Sequence, residues 1–192
     1  MGRYTTNVTT EKEYTDIINL LKTGYIDNEG IKHRPNRQVA TILVLECNLG
    51  CRLGDIIAMT TDSVIKENGV YKLNIKEQKT KKKRSFIVPL PIVEYIEEWK
   101  KDNHINSGRL FDISEPAVWK ALRAVTSYLG LENVSSHSFR KCAAQTLYEK
   151  SGYDVALVSQ WLQHSNTAIT QTYLKRNSRQ METAINCMVN IV

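Results

Sequence analysis

The sequence predicts a mainly α-helical domain carrying one small three-stranded antiparallel sheet, an α+β arrangement. Three observations predict it. Near the N-terminus a capping box opens a run of apolar residues at helical spacing. Between Ser63 and Pro89 the pattern changes to short alternating runs separated by turn residues. From Pro91 the helical spacing returns and continues to the end of the chain.

Taken in order, Thr10 to Glu13 is the capping box, and Tyr14, Ile17, Ile18 and Leu21 follow on one helical face. A helix over about 10–23 is therefore expected, then a loop from Gly24 to Arg34. Pro35 stands at the next helix start, and the strongly apolar run after it reaches Leu49 before Gly50 breaks it. Arg52 opens a further helical turn through Ile56, Ile57 and Met59. Three strands follow, at about 63–66, 70–76 and 85–89. The first two are joined by Glu67, Asn68 and Gly69, and the run from Lys79 to Arg84 forms the turn of the second hairpin. Helices are expected at about 91–102, 115–128, 138–150, 154–163, 166–174 and 178–190. Trp99, Trp119 and Trp161 stand on helical faces and are expected to fill the core. Tyr148 and Tyr153 flank a helix end at Gly152.

At 192 residues the chain suits one domain of ordinary size with a real core. Lys and Arg number 26 against 20 acidic residues, a formal net charge of +6 that favours a polyanionic partner without identifying one. The opening residues carry no apolar run of the secretory kind. No stretch approaches the roughly 18 apolar residues that a membrane span requires, so a cytoplasmic protein without a membrane partner is expected. Cys47, Cys51, Cys142 and Cys187 form no CxxC pair. Cys47 and Cys51 lie one helical turn apart, but no His stands near them to complete a zinc site, and reduced thiols are expected.

Six residues fall in an order that one chemistry explains: Arg52, Lys79, His137, Arg140, His164 and Tyr173. Two arginines can clamp a phosphate through paired hydrogen bonds. Two histidines can move or stabilise protons. An activated tyrosine hydroxyl can act as a nucleophile. His137 and Arg140 stand one helical turn apart at a helix start, where backbone N–H groups and the positive dipole end favour a phosphate. Alone, an HxxR pair is common. Here Leu162 to Ser165 reads Leu-x-His-Ser, with His164 24 positions past Arg140, and Tyr173 follows 9 later. Together they describe a site that cuts a phosphodiester and stays attached to it.

In these residues the chain resembles the tyrosine recombinases, the phage integrase family, from roughly Thr9 to the C-terminus. The resemblance implies their catalytic fold and a site-specific recombinase or integrase. Arg52, Arg140 and His164 would stabilise the phosphate, and His137 would assist proton transfer at Tyr173. Tyr173 would form a 3′-phosphotyrosyl link, and Lys79 would protonate the leaving 5′ oxygen. In the family an acidic residue three positions after the first arginine supports it. The usual Glu is replaced here by Asp55, one methylene shorter. Lys79, followed by Thr80, fits the lambda-integrase-like arrangement of the hairpin, with Lys81 as the alternative acid. Lys81, Lys82, Lys83 and Arg84 are expected to touch DNA phosphates. No metal is expected, because the site has no acidic cluster for metal ions, and no nucleotide cofactor is implied, because the bond energy is kept in the phosphotyrosyl link.

The resemblance also implies double-stranded DNA as partner and a homo-oligomer, a tetramer on DNA. Met181, Ile185, Met188, Val189 and Val192 form an apolar stripe in a tail, about 177–192, that would dock on a neighbouring subunit. Residues 1–192 are expected to be a single catalytic domain. The core-binding domain common in the family would then be absent, as in a naturally short recombinase or an excised fragment. A DNA-binding regulator with this fold and a type IB topoisomerase are the alternatives.

Overall fold

A computed structural model describes residues 10–164, 166–171 and 174. Its first helix, α1 (Glu11–Thr23), begins at the capping box: the Thr10 N–H donates to the Glu13 carboxylate at 2.7 Å, and the Glu13 N–H returns to Thr10 Oγ1 at 3.2 Å. Ile17, Ile18 and Leu21 form its buried face. The loop expected after Gly24 contains a small hairpin, β1 (Tyr25–Ile26) and β2 (Lys32–His33). The Asp27 side chain, which accepts from the Glu29 and Ile31 N–H groups, closes its turn. Asn36, one residue past Pro35, caps α2 (Arg37–Leu49) by accepting from the Val39 N–H.

Helix α2 is the centre of the domain. Val39, Ala40, Ile42, Leu43, Leu45 and Leu49 are fully buried, and α1, α3 (Leu53–Ile57), α4 (Leu90–Asp102), α5 (Glu115–Tyr128) and α6 (Ser136–Lys150) all pack on it or on its neighbours. A helix buried on most sides must be largely apolar, which this stretch is, with Thr41 and Glu46 as its buried polar residues. Gly50 ends it in the left-handed conformation, φ +56°. A side chain there would be strained, and its Cβ would also enter the Trp161 ring. The glycine thus lets α7 (Val155–Leu162) lie directly over the junction between α2 and α3. A second, smaller core of Ala144, Val158 and Leu162 seats α7 on α6, next to α8 (Thr167–Gln171).

The strand region forms as pairs rather than as one continuous three-stranded sheet. β3 (Val64–Glu67) and β4 (Val70–Leu73) make an antiparallel hairpin through Asn68 and Gly69, both at positive φ. β5 (Ile75–Lys76) pairs with β6 (Lys83–Arg84). The expected third strand lies alongside β4 only through the Lys72–Ile87 bridge and bonds of Leu73 to Phe86 and Val88 to Tyr71. Lys83 and Arg84, expected in the turn, belong to a strand.

Trp99 is half-buried and donates its Nε1–H to the Leu110 carbonyl at 3.0 Å, and Trp161 is half-buried against Phe86. Trp119 departs from expectation. It is 52% exposed, on the outer face of α5 beside Lys120 and Arg123. Tyr148 and Tyr153 meet edge to face at 5.4 Å around the end of α6. Cys47 does not pair with Cys51: its sulfur meets Cys142 across α2 and α6, while Cys51 lies buried and bonds the Leu49 carbonyl. Cys47, Cys51 and Cys142 are free thiols. No helix among the described residues is long and apolar enough to cross a membrane. The helix expected at 178–190, the apolar stripe of the tail and Cys187 lie outside the described residues.

Candidate active site

Arg52 is the N-cap residue of α3, set by the turn that Gly50 permits. Its guanidinium is about a quarter exposed, and its Nη1 donates to Glu77 Oε2 at 2.7 Å. Asp55, on the same helix, is farther away, with Oδ2 at 3.9 Å from Nη1. Its Oδ1 instead accepts the Gln78 backbone N–H at 2.7 Å, so the shorter acid holds the second hairpin more closely than it holds the arginine.

That hairpin turn spans residues 77–82. The Glu77 N–H donates to the Lys82 carbonyl and the Lys81 N–H to the Glu77 carbonyl, each at 2.9 Å, with Lys81 at positive φ. Lys79, Lys81, Lys82 and Lys83 are all exposed. Arg84 is not. Expected among the cations that reach DNA, it is instead 1% exposed. Its Nη1 pairs with Glu77 Oε1 at 3.2 Å, its Nη2 donates to the Leu49 carbonyl at 3.0 Å, and its guanidinium carbon lies over the Phe86 and Trp161 rings. It is the second residue of a strand, so it points to the opposite side from its lysine neighbour. That side is the core.

His137 and Arg140 share one face of the first turns of α6. The Ser135 N–H donates to Ser138 Oγ at 3.1 Å and fixes the helix start. Arg140 is fully buried and donates from Nη2 to the Leu162 carbonyl at 3.0 Å, which locks it to the end of α7. Gln163 ends α7 in the left-handed conformation. Its side-chain amide donates to the Lys83 carbonyl at 3.0 Å, tying this corner to the hairpin. His164 follows, with Nδ1 2.9 Å from the hydroxyl of the buried Thr170 on α8. Tyr173 and Ser165 lie outside the described residues.

The electrostatics join these parts. Burial, and then the charges of Arg140, Lys141, Arg52 and Lys79, lower the His137 pKa to about 4. Burial, and then Arg140, Arg52, Arg84 and His137, lower His164 to about 4. Arg52, Lys79, His137, Arg140 and His164 therefore come from four separate stretches of chain into one electrostatic neighbourhood. Cations around neutral imidazoles make a field that favours an anion. Glu77 was missed at the sequence level. It is fully buried, yet its carboxyl stays below the usual range: burial pushes it up, but bonds from Thr80, Arg52 and Arg84 outweigh that. The available signal was a single acid in an otherwise basic turn. Among the described residues, no three His, Cys, Asp or Glu side chains gather as a metal site.

Known proteins resemble this chain in sequence and fold. A probable integrase/recombinase, YoeC of Bacillus subtilis, is 27% identical over 146 residues, covering 72% of this chain and 78% of its own. Tyrosine recombinase XerC of Rickettsia bellii is 34% identical over 99 residues, covering 48% of this chain and 32% of its own. The XerH site-specific recombinase, in its post-cleavage complex with a palindromic difH substrate, superposes with a TM-score of 0.73 at 18% identity. That likeness covers 97% of this chain but 54% of XerH, so the chain spans about half of that recombinase's length. The phage integrase family model matches residues 7–180, and with more than half its length matched the chain belongs to the phage integrase family.

Proposed function

We propose that residues 1–192 act as a single catalytic domain that cleaves and rejoins double-stranded DNA at a specific site through a 3′-phosphotyrosyl intermediate. The observation that carries this reading is the convergence of Arg52 and Arg140 on two histidines kept neutral first by burial and then by those positive charges, with Lys79 acting on His137 as well. A scissile phosphate is the anion such a pocket suits. Arg52 and Arg140 offer donors to its non-bridging oxygens, and the pull on the pentacoordinate charge replaces what metal ions supply in other phosphoryl transfers.

In this reading Tyr173 attacks the phosphorus, and its phenolic proton passes toward His137. The neutral imidazole suits a proton acceptor better than an imidazolium would. The bond from phosphorus to the 5′ oxygen breaks, and Lys79 on the exposed hairpin gives that oxygen a proton. The phosphate stays on the tyrosine at the 3′ end, so no nucleotide cofactor is needed to reseal. Lys81, Lys82 and Lys83 meet neighbouring phosphates by charge. The apolar stripe from Met181 to Val192 links subunits into a tetramer on DNA, and the cytoplasm is the working compartment.

The direction of attachment tests this. The protein is mixed with a pool of nicked duplexes of randomised sequence, labelled at either end of the cut strand. The 5′-side label should become protein-linked and the 3′-side fragment should leave with a free 5′ hydroxyl. Retention of the opposite label, or a requirement for a divalent cation, would refute the proposed chemistry.

A further inference from the structure

Glu77 is a fully buried carboxylate whose partners belong to different parts of the site. Oε2 accepts from Arg52 Nη1 and from Thr80 Oγ1, each at 2.7 Å. Oε1 accepts from Arg84 Nη1 at 3.2 Å. Thr80 is the residue after Lys79, and Gln78, the residue before it, is held by Asp55 at 2.7 Å. Lys79 thus projects from a turn anchored on both sides by carboxylates, and one of them also holds the phosphate-binding arginine.

A buried carboxylate with only a scaffolding task could be satisfied by Arg84 alone, and Glu77 does more than that. The oxygen facing away from Arg84 is shared between Arg52 and the hairpin. We propose that Glu77 is a positioning residue that sets Arg52 and Lys79 as one unit, through the guanidinium on one side and Thr80 on the other. The inference rests on the reading of Arg52 and Lys79 as catalytic given above. Its physical content is that Oε2 couples charge stabilisation to protonation of the leaving group. Misplacing a catalytic group by about an ångström can cost on the order of a hundredfold in rate.

Two variants separate the two arms. Thr80→Val removes only the hairpin hydroxyl at nearly constant volume. Glu77→Gln removes the charge that Arg52 and the hairpin share. Each is compared with wild type and Lys79→Ala for covalent adduct formation on nicked duplexes with oxygen or sulfur at the bridging 5′ position. A thiolate leaves without needing a proton, so sulfur bypasses the acid but not the arginine.

Thr80→Val should lose about tenfold or more on oxygen and return to the wild-type rate on sulfur. Glu77→Gln should lose on oxygen, recover in part on sulfur, and stay below wild type because Arg52 is also displaced. Equal losses on both substrates, or no loss in Thr80→Val, would overturn the coupling and leave Glu77 a scaffold residue. If Glu77→Gln does not fold, the ratio in Thr80→Val decides by itself. If wild type forms no adduct, or sulfur does not rescue Lys79→Ala, the reading of the site fails, and this inference fails with it.

Discussion

Arg84 and Trp161 face each other across the hairpin and α7, with the guanidinium carbon 5.7 Å from the ring centroid. Within the same guanidinium, Nη1 reaches Glu77 and Nη2 reaches the end of α2. The contact therefore closes a bracket around the site: hairpin, α2 and α7 meet at one cation.

This makes Arg84 a stability residue. Arg84→Ala should cost about 3–5 kcal/mol, the usual penalty for stripping a partner from a buried ion pair. Lys82→Ala, at an exposed position on the same hairpin, should stay within about 0.5 kcal/mol of wild type. Urea unfolding of the two variants checks this, and equal stability for both would contradict the burial of Arg84.

Stability should fall on acidification well before most carboxylates titrate. His137 and His164 have folded pKa values of about 4, below the ordinary histidine value of 6.5. Between those values the unfolded chain binds more protons than the folded one, so stability rises with pH there and is lost as pH falls from about 6.5 toward 4. Glu77, held below its ordinary value, adds loss in the same direction at lower pH. Urea midpoints of the DNA-free protein across this range should follow that slope, and His137→Gln should flatten it. A midpoint constant from pH 7 to 4.5 would argue against buried neutral histidines.

Binding to duplex DNA should depend steeply on salt. Lys79, Lys81, Lys82 and Lys83 are exposed on one turn, and each phosphate contact contributes a slope of about −0.9 in log affinity against log salt concentration. Lys82→Ala should reduce the slope by about one, with little regard to DNA sequence. Affinity that stays flat between 50 and 200 mM salt, values chosen around the physiological range, would show that the hairpin does not meet phosphates.

The helices were legible because their signals are local. The Thr10–Glu13 capping box, Pro35 and Gly50 mark boundaries found within two residues of expectation. The order of Arg52, His137, Arg140 and His164 was legible because their spacing is a pattern in the sequence itself. What escaped depends on contacts distant along the chain. Glu77 becomes a partner of Arg52 only when the hairpin folds onto α3, 25 positions away. Arg84 reads as one more cation in a basic run until the strand turns it inward under Trp161. Trp119 sits on a helix, but it is on the face that α5 leaves to solvent, and its spacing alone does not tell which face is covered.

Strand exchange should need the tail even though cleavage does not. Truncation after Arg176 should leave adduct formation on a nicked duplex and abolish recombination between two duplexes. Normal recombination by the truncated chain would make the stripe from Met181 to Val192 part of the local core.

The central claim is covalent attachment through one phenolic oxygen, and Tyr173→Phe removes only that atom. Gel-shift binding of this variant to duplex DNA should match wild type, while the protein–DNA adduct that survives denaturation on nicked duplexes should disappear. A surviving adduct in Tyr173→Phe would place the nucleophile on another residue and contradict the account.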